Sequence, residues 1–473
     1  MFQRVRGGPP ADAGGDAPAL LTALWSTLGG PDDLVANLAF QGPAGGLPSI
    51  HPVSELAAAQ IGAATLAAAE LLAAREGKPV RSARVDRRHA AAAFRSERYQ
   101  RAIGWILPPP WDPIAGDYRT RDGFIRLHTN YKPHLAAALA VLDRPAERDA
   151  VVQAVLAWNA DELEDAVVRA GGAAAAMRTA AEWERHPQGI AVAAEPLVAI
   201  ELAPPRETAL PDPGGAPLGG IRVLDLTRVI SGPVCTRFLA AWGADVLRID
   251  PPGFAEVEAL LTETTAGKRR AALDLRDPTG RAMFGRLVAG AHVLVSSYRA
   301  GALERLGFDT PALRALNPAL IIASVDAYGH AGPWHHRRGF DSLVQMSCGI
   351  AASGQRALRA DRPVPLPAQA LDHGTGYLLA AAVCRALTRR SRTGEPSTIR
   401  TSLARTARFL TDAGEAALPV GPELTAEDVE PWLEKVDTAF GPLARVRCPG
   451  SIAGISSGWS RPPGPLGIDP PAF

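Results

Sequence analysis

An acidic residue followed closely by glycines is the part of this sequence best suited to covalent chemistry. The segment reads PAQALDHGTGYLLAAAV and contains Asp372, Gly374 and Gly376. An ionised carboxylate with an open path of approach can attack an activated carbonyl. We expect a helix from about Tyr377, whose N-terminal amides favour a negative charge on Asp372. The glycines would leave space for a substrate and offer amide donors to an oxyanion. The alternative is an ordinary N-cap aspartate.

Blocks that resemble one enzyme family extend from Gly219 to Ala352. In chain order they read GGIRVLDLTRVISGPVCTRFLAAWGADVLRIDPPG, GKRRAALDL, SSYRAGALERLG and SVDAYGHAGPWHHRRGFDSLVQMSCGIAA. These blocks resemble the large domain of the family III CoA-transferases, a superfamily with formyl-CoA transferase, carnitine CoA-transferase and alpha-methylacyl-CoA racemase. Upstream, AVVRAGGAAAAMRT and AAEWERHPQG resemble the smaller domain of the same family. The chain therefore resembles this family as an atypical two-module protein.

The resemblance implies a function and a mechanism. It implies an acyl-CoA:carboxylate CoA-transferase in which Asp372 forms an acyl anhydride and then an aspartyl-CoA thioester. CoA thioesters and a carboxylate acceptor would be the substrates, with no permanently bound cofactor and no metal. A racemase or isomerase of the same superfamily, or a non-catalytic CoA-binding paralogue, are the alternatives.

The resemblance also implies which residues contact CoA. The basic run Lys268, Arg269 and Arg270 precedes an expected strand and suits the phosphates of CoA. Arg305 falls on a family arginine that contacts CoA. Ser297 and Tyr298 fall on a family Asn-Phe pair that lines the nucleotide pocket, and Arg228 follows the first strand, close to the cofactor. Solvated surface arginines are the alternative interpretation.

Some positions depart from the family pattern. The racemase branch has a histidine before the Asp of its GHD segment, whereas this chain has Phe340 before Asp341. Since a phenyl ring moves no proton, racemisation is the weaker choice. His335 and His336 are offset from that position. Pro251 and Asp326 replace basic residues that some members use on CoA.

Composition excludes several classes of protein. The chain has 473 residues, 50 Lys and Arg against 49 Asp and Glu, and a net charge of +1. Such a balance gives no electrostatic reason to bind nucleic acid or an anionic membrane. The four dispersed cysteines suggest neither disulfides nor a zinc site. With no signal-peptide pattern at its start, the sequence predicts a cytoplasmic protein, and the resemblance implies a homodimer, of the interlaced kind seen in the family.

Short apolar runs alternate with amphipathic segments after residue 218. Strands are expected at 221–226, 245–249, 272–275, 292–296 and 320–324, with helices at 233–242 and 278–288. This alternation predicts an α/β fold with a doubly wound, mostly parallel, Rossmann-like sheet in the C-terminal half. A smaller α+β domain is expected in the N-terminal half. Asp250 would suit the ribose of NAD, but the turn TRVISGPVCTRF has one glycine and lacks the GxGxxG motif of dinucleotide-binding enzymes.

The predicted domain organisation has five parts. They are an N-terminal lead segment (1–45), a partial CoA-transferase module with the small domain (46–202), a Pro- and Gly-rich linker (203–218), the CoA-binding large domain with Asp372 (219–420) and a C-terminal tail (421–473). A weak repeat at an offset of 317 residues aligns Arg75, Gly77 and Pro79 with Arg392, Gly394 and Pro396. The offset pairs Glu55 with Asp372, and we expect Glu55 to be a vestige because no glycines follow it.

Overall fold

The strands of the C-terminal half form one seven-stranded sheet. A computed structural model describes residues 16–206 and 209–473. The strands are β1 (Leu38–Gln41), β2 (Ala83–Asp86), β3 (Arg101–Ala102), β4 (Gly116–Arg119), β5 (Phe124–Leu127), β6 (Ala174–Ala176), β7 (Ala199–Leu202), β8 (Arg222–Leu226), β9 (Asp245–Asp250), β10 (Lys268–Ala272), β11 (Val293–Ser296), β12 (Ile321–Asp326), β13 (Ser397–Ser402), β14 (Leu433–Thr438), β15 (Gly441–Val446) and β16 (Ser451–Ile452). The large sheet has the order β10-β9-β8-β11-β12-β13-β7, with β7 alone antiparallel to its neighbour. The predicted doubly wound, mostly parallel α/β fold is confirmed.

Helices cover both faces of this sheet. They are α1 (Ala17–Thr27), α2 (Val53–Glu76), α3 (Arg87–Ala93), α4 (Ser96–Tyr99), α5 (Lys132–Leu142), α6 (Arg148–Val155), α7 (Ala160–Arg169), α8 (Ala180–Arg185), α9 (Pro187–Ala194), α10 (Ser231–Ala241), α11 (Glu258–Thr264), α12 (Pro278–Gly290), α13 (Thr310–Leu316), α14 (Asp341–Ser347), α15 (Ile350–Leu358), α16 (Ala370–Thr393), α17 (Leu403–Asp412) and α18 (Ala426–Val429). Alternate strand residues face opposite sides. Val223 and Val246 belong to the core of α2, α10 and α16, whereas Leu224 and Leu247 belong to that of α12 and α13.

The third strand lies earlier than the sequence predicts. It covers 268–272 instead of 272–275, so that the run Lys268, Arg269 and Arg270 is part of β10. Charged residues in a strand still alternate between its two faces. Lys268 and Arg270 are buried, while Arg269 on the other face is half-buried.

Two long helices confirm and extend the internal repeat. Helices α2 and α16 each have 24 residues, and their first and last residues are all separated by 317 positions. Their N-cap residues, Pro52 and Gln369, share nearly the same backbone angles (φ −75°, ψ 58° and φ −73°, ψ 60°). Each helix ends at a glycine in the left-handed region, Gly77 with φ 64° and Gly394 with φ 74°. Glycine adopts this conformation without steric cost, which explains why both repeats keep it.

The repeat continues beyond these two helices. A strand and a short helix follow in both halves, β2 and α3 in the first and β13 and α17 in the second. The N-cap side chain of Asp86 accepts a hydrogen bond from His89 N, and that of Ser402 accepts one from Arg405 N. The repeated unit is therefore helix, turn, strand and capped helix.

The small domain is built as the sequence predicts. Strands β4, β5 and β6 form an antiparallel sheet, and β4 and β5 are joined through a turn at Thr120–Gly123. Helices α5, α6 and α7 pack on it around a separate core that includes Ile125, Leu142 and Leu163. The sequence places this domain in the N-terminal half, and the structure agrees.

The ends of the predicted domains are tied together more closely than the sequence suggests. Residues 421–473 form strands that pair with the N-terminal half, β16 with β2 and β15 with β3. Strand β7, from the first module, completes the sheet of the second. Arg75 donates hydrogen bonds to the carbonyls of Pro211, Pro217 and Gly219 in the linker. Of the lead segment, residues 1–15 lie outside the described residues, and the rest contains α1, a 3₁₀ helix (Asp32–Asn37) and β1.

Helix α2 is long and apolar enough to cross a membrane by length and composition alone. Its most apolar 18-residue window is entirely buried inside the protein, however. Its alanines contact α1, α3 and α16 in the main core. The apolar surface of α2 is thus used in packing.

A buried ion pair joins the two repeated helices and predicts a large loss of stability on mutation. The carboxylate of Glu70 in α2 is fully buried and accepts hydrogen bonds from Arg385 and Arg392 in α16. The Glu70→Gln variant leaves the buried Arg385 guanidinium without its counter-charge, which should lower the free energy of unfolding by about 3–5 kcal/mol. Urea denaturation measures this change. The control is Glu201→Gln, which breaks an exposed pair with Arg400 and should have little effect; equal losses in both variants would contradict the prediction.

Candidate active site

A cavity of about 460 Å³ lies between the two halves of the chain, beside the start of α16. Residues of the first half that line it fall between Glu97 and Tyr131. Those of the second half fall between Val229 and Asp372. The small domain therefore closes over Asp372 within one chain, which the sequence leaves open.

Asp372 lies inside the first turn of α16, and not before a helix that begins near Tyr377. The helix begins at Ala370, and the Asp372 side chain lines the cavity while only 6% of the residue is exposed. The first turn of a helix has free amides that favour a negative charge. In this site, however, another carboxylate takes two of them.

The carboxylate of Asp341 binds the N-terminus of α16. Its Oδ2 accepts hydrogen bonds from Leu371 N at 2.8 Å and from Asp372 N at 3.0 Å, and Gln345 donates to Oδ1. Asp341 directly follows Phe340 at the start of α14. The sequence analysis did not select Asp341 as a site residue. An aspartate after a glycine and an aromatic residue is too common a pattern to identify a site residue.

The crowding of carboxylates raises the pKa values of this site. Burial raises the pKa of Asp372 well above its usual value, and the charges of Asp341 and Glu97 raise it further. Burial also raises the pKa of Asp341, to about 6, against the hydrogen bonds that it accepts. Asp372 in the free protein therefore holds its proton more tightly than an ordinary aspartate, and becomes nucleophilic only on losing it.

The third carboxylate comes from the N-terminal half. Glu97, at the start of α4, accepts a hydrogen bond from His373 Nε2 at 3.0 Å. Burial favours the neutral acid, but the charge of His373 and its hydrogen bond hold the pKa of Glu97 below its usual value. The His373 ring stacks on Phe94 with the centroids 5.6 Å apart. Residues 94 and 97 thus fix the side chain that follows Asp372.

The two glycines after Asp372 have a packing role, and the prediction that they donate to an oxyanion is wrong. Both lie within α16, past its first turn, where backbone amides bond to carbonyls four residues earlier. A Cβ on Gly374 would lie 2.2 Å from the Gln60 side chain of α2, and one on Gly376 would lie 2.5 Å from Ser231 O in α10. The glycines therefore allow α2 and α10 to approach α16 closely.

Four polar atoms that line the cavity lack hydrogen-bond partners among the described residues. They are Glu97 Oε1, His128 Nδ1, Ser342 Oγ and Gln369 Oε1. Buried polar atoms without partners are rare, and a ligand or water at the site explains them. Sequence reasoning missed all four residues, because segments far apart in the chain bring them together.

Lys268 is not placed to bind CoA phosphate. Its side chain is fully buried, 2.9 Å from Asp225 Oδ2 and within hydrogen-bond distance of Pro233 O. Burial lowers its pKa to about 8, against the attraction of Asp225. Arg269 is also engaged, with Asp245 and the carbonyl of Ala472. These two predictions fail because the basic run is a strand with a buried face instead of a loop.

Three other predicted residues do meet at the carboxyl ends of β8 and β11. Arg228 N donates to Ser297 Oγ at 3.0 Å, and the Arg228 side chain donates to Tyr298 Oη at 3.3 Å. The guanidinium carbon of Arg228 also lies 3.8 Å from the ring centre of Phe254. The carboxyl edge of a parallel sheet is where such folds bind their ligands.

Arg305 is exposed and has basic neighbours that the sequence analysis did not select. Burial lowers the pKa of Arg299, and the positive charges of Arg338 and Arg305 lower it further. The charges of Arg338 and Arg299 also lower the pKa of His134 in the small domain, which burial lowers most. Arg299, Arg305 and Arg338, here called the basic rim, therefore border the site where the small domain meets the sheet.

The remaining residues noted in the sequence have other surroundings. Asp250, the position suited to a ribose, binds Arg248 through both carboxylate oxygens. Asp326 accepts a hydrogen bond from Tyr328 N, and burial raises its pKa to about 7. His335 and His336 contact the carbonyls of Gly332 and Ala300, outside the cavity lining. Phe340 stacks on His128 with the ring centres 3.6 Å apart.

No group of three or more His, Cys, Asp and Glu side chains within residues 16–206 and 209–473 is arranged to hold a metal ion. The four cysteines are buried free thiols. The polar side chains that line the cavity are carboxylates, His128, Arg98 and amide or hydroxyl groups.

Known proteins match the part of the chain that carries Asp372. A family model described as CoA-transferase family III matches residues 218–420. The formyl-CoA:oxalate CoA-transferase of Bradyrhizobium sp. (strain ORS 278) is 33% identical over 189 residues, which are 37% of this chain and 44% of the relative. The protein of the same name from Rhodopseudomonas palustris (strain BisB18) matches to the same extent.

Solved structures give partial matches. Rv3272 from Mycobacterium tuberculosis is 31% identical over 41% of this chain and 57% of its own, with a TM-score of 0.38. A CAIB/BAIF family protein from Brucella suis is 25% identical over 48% and 65%, with a TM-score of 0.36. The chain spans less than half the length of the curated relatives it matches. Glu97, His128 and the rest of the first half lie outside the residues that the family model matches.

The carboxylate cluster predicts a shift in the pH dependence of activity. A nucleophilic Asp372 would react as a carboxylate, so activity should fall as the pH drops through its raised pKa. The Asp341→Asn variant removes a negative charge that raises this pKa but keeps an oxygen for Leu371 N and Asp372 N. The acid limb of kcat/KM should therefore move to lower pH.

The pH dependence of the free energy of unfolding should also change in this variant. The pKa of Asp341 is raised in the folded state, so its contribution to stability is present below its usual value of 3.8 and is lost as the pH rises through about 6. Asp341→Asn should flatten this dependence between those values in urea denaturation.

The control Asp437→Asn removes an exposed carboxylate far from the site. An acid limb that stays in place in Asp341→Asn, as in the control, would refute this account.

Proposed function

We propose that this protein is an acyl-CoA:carboxylate CoA-transferase with Asp372 as the nucleophile. The observation that carries the proposal is the Asp372 carboxylate at the start of a helix, which lines a cavity and falls within the residues that match the CoA-transferase family III model. Residues 219–420 serve as the CoA-binding large domain. The first half of the chain supplies the small domain that covers the site.

The proposed reaction proceeds through Asp372 in balanced steps. A carboxylate oxygen of Asp372 attacks the thioester carbonyl, the C–S bond breaks, and CoA thiolate leaves an acyl-aspartyl anhydride. The thiolate then attacks the Asp372 carbonyl carbon, which releases the donor acid and leaves an aspartyl-CoA thioester. The acceptor carboxylate repeats the two steps in reverse, so that the acceptor leaves as its CoA thioester and Asp372 is regenerated.

Unpaired polar atoms next to Asp372 support this chemistry. Two residues carry such atoms: the Ser342 hydroxyl, which can donate, and Gln369 Oε1, which only accepts. Hydrogen-bond donors held in a buried site stabilise the oxyanion of a tetrahedral intermediate. We assign this task to the Ser342 hydroxyl, in place of the glycine amides expected from the sequence.

The basic rim supports binding of the CoA phosphates. Its three arginines have no carboxylate within ion-pair distance among the described residues, and Arg299 and Arg305 are exposed. Arginine binds phosphate through several hydrogen bonds at once. With Arg228, Ser297 and Tyr298 beside them, these residues replace Lys268 and Arg269 in the proposed CoA site.

The surroundings of Phe340 favour transfer over racemisation. Exchange of an α-proton between two faces needs two bases. The only imidazole in contact with Phe340 that lines the described cavity is His128, and burial lowers its pKa to about 3. Such a group takes up no proton near neutral pH. A CoA-binding protein without activity is the other alternative.

We further propose a cytoplasmic protein whose site needs a single chain. Buried free thiols are typical of a reducing compartment. The cavity is lined by residues of both halves of one chain, so the homodimer implied by the family resemblance is not required to complete it.

The Asp372→Asn variant should lose transferase activity by about a thousand-fold or more, because an amide is not a nucleophile. Thioester exchange between an acyl-CoA and a second carboxylic acid, followed by liquid chromatography, measures the loss. The matched control is Glu55→Gln at the equivalent position of the repeat, where the carboxylate accepts a hydrogen bond from Ala17 N. The control should keep near-normal turnover. Full activity in Asp372→Asn would remove this residue from the mechanism, and an equally inactive Glu55→Gln would indicate two working sites.

Binding of CoA should depend on the basic rim. Replacing Arg299 or Arg305 with Ala should weaken binding of CoA by about 1–3 kcal/mol each if they donate to phosphate. Isothermal titration calorimetry at fixed salt measures this. The control Arg169→Ala changes an exposed arginine of the small domain (74% exposed) and should leave the affinity unchanged. Tighter binding of NAD than of CoA, or equal effects of all three substitutions, would contradict the assignment.

A further inference from the structure

We propose that the acyl group of the preferred donor is a bulky hydrocarbon, and not the one- or two-carbon acid of the formyl-CoA:oxalate CoA-transferases that the region resembles. The inference rests on the proposed function, because it concerns the substrate of the same site. It follows from what covers the cavity beside Asp372.

Apolar side chains from both halves of the chain form most of the cavity wall. The first half contributes the loop from Leu107 to Trp111, with two prolines on the cavity. The second half contributes Val229 and Ile230 after β8, and 257–260 at the start of α11. Burying apolar surface is favourable in proportion to its area. A one-carbon acyl group would leave this wall in contact with water.

An aromatic stack forms another side of the cavity. His128 stacks on Phe340 with an interplanar angle of 3°, and Trp111 meets the edge of His128 with the ring centres 5.8 Å apart. Because the pKa of His128 is lowered to about 3, its ring is neutral at physiological pH. Flat neutral rings make good apolar contact with hydrocarbon groups and offer no positive charge to a small anion.

Several polar side chains of the cavity lining already form hydrogen bonds within the protein. The Tyr131 hydroxyl donates to Glu256, and the Asn130 side chain bonds to Asp112 N and Pro110 O. Gln100 bonds to Ala259 O and Thr262. Of the four unpaired polar atoms, those of Ser342 and Gln369 belong to residues close in the chain to Asp341 and Asp372, where the thioester itself reacts. The other two are Glu97 Oε1 and His128 Nδ1.

Positive charge is scarce inside the cavity. Among the lining residues, Arg98 is the only lysine or arginine, and it is exposed. A small dicarboxylic acyl group carries a second carboxylate, and a buried carboxylate needs a cationic or multiply hydrogen-bonded partner. The cavity of about 460 Å³ instead has the size and the lining of a site for an apolar ligand.

A series of acyl-CoA donors tests the inference in two assays. The series runs from acetyl-CoA through straight-chain thioesters to decanoyl-CoA, with oxalyl-CoA as the small polar donor. Binding to the Asp372→Asn protein and kcat/KM of the wild type should each rise about four-fold per added methylene until the wall is filled. Highest kcat/KM and affinity for acetyl-CoA or oxalyl-CoA would overturn the inference.

The two assays separate this inference from the proposed function. Affinity that rises with chain length without turnover of any thioester would leave the acyl site standing and refute transfer. Turnover with a flat or falling series would support transfer and refute the acyl site.

Variants of two residues on the cavity wall, with a control from the loop of one of them, test which residues contact the acyl group. Leu107→Ala removes a side chain that lines the cavity and should flatten the dependence on chain length. Ile106→Ala is the control, since Ile106 is 89% exposed and does not line the cavity. Ala259→Leu adds bulk to the wall and should lower kcat/KM for decanoyl-CoA while sparing acetyl-CoA. Circular dichroism checks folding, and if Leu107→Ala misfolds, Ala259→Leu decides. A Leu107→Ala protein that behaves like the control, or an Ala259→Leu protein with an unchanged preference, would overturn the assignment.

Discussion

The close packing of α2 against α16 is the constraint on which the site depends. Nearly every residue of both helices is buried, and Gly374 lets the Gln60 side chain approach within a distance that no Cβ permits. The Glu70 carboxylate then binds Arg385 and Arg392 across the interface. This contact fixes where α16 begins, and so where Asp372 enters the cavity. The repeat therefore produces the site, with one copy of the unit as a support for the other.

The site is electrostatically costly, which is typical of a place that performs chemistry. Asp341 and Asp372 are both buried near Glu97, and the positive charges that act on Glu97 are those of His373 and Arg98. Hydrogen bonds from the start of α16 offset part of the cost for Asp341. Asp372 has no comparable set of donors, and its carboxylate is the least stabilised of the three. A carboxylate poorly solvated by the protein is a better nucleophile than one that is well hydrogen-bonded.

Much of the fold could be predicted from the sequence, because the signals are local. Apolar runs predicted five of the seven strands of the large sheet, one of them a few residues too late, and a shared Gly after each long helix indicated the repeat. Local patterns misled where a residue type suits two structures. The Lys268–Arg270 run suits a phosphate-binding loop, but alternation in β10 buries it. Gly374 and Gly376 suit a loop, but close packing of helices needs small residues as well.

Other features of the site have no local signal. Glu97 meets His373 across 276 positions of the chain, and His128 meets Phe340 from the small domain. Their partners are set by how the two halves pack, which a single sequence does not encode in any short pattern. For the same reason the sequence indicated only Arg305 of the basic rim, since Arg338 and Arg299 lie on separate segments.

Tracing oxygen-18 from the acceptor carboxylate to Asp372 tests covalent transfer most directly. In the proposed reaction the bridging oxygen of the second anhydride comes from the acceptor and stays on Asp372 when the thiolate attacks the acceptor carbonyl. Mass spectrometry of the peptide that contains Asp372 should therefore find the label after turnover with an oxygen-18 acceptor. The next turnover should pass it to the released donor acid. Turnover that leaves both the Asp372 peptide and the donor acid unlabelled would contradict an aspartyl intermediate.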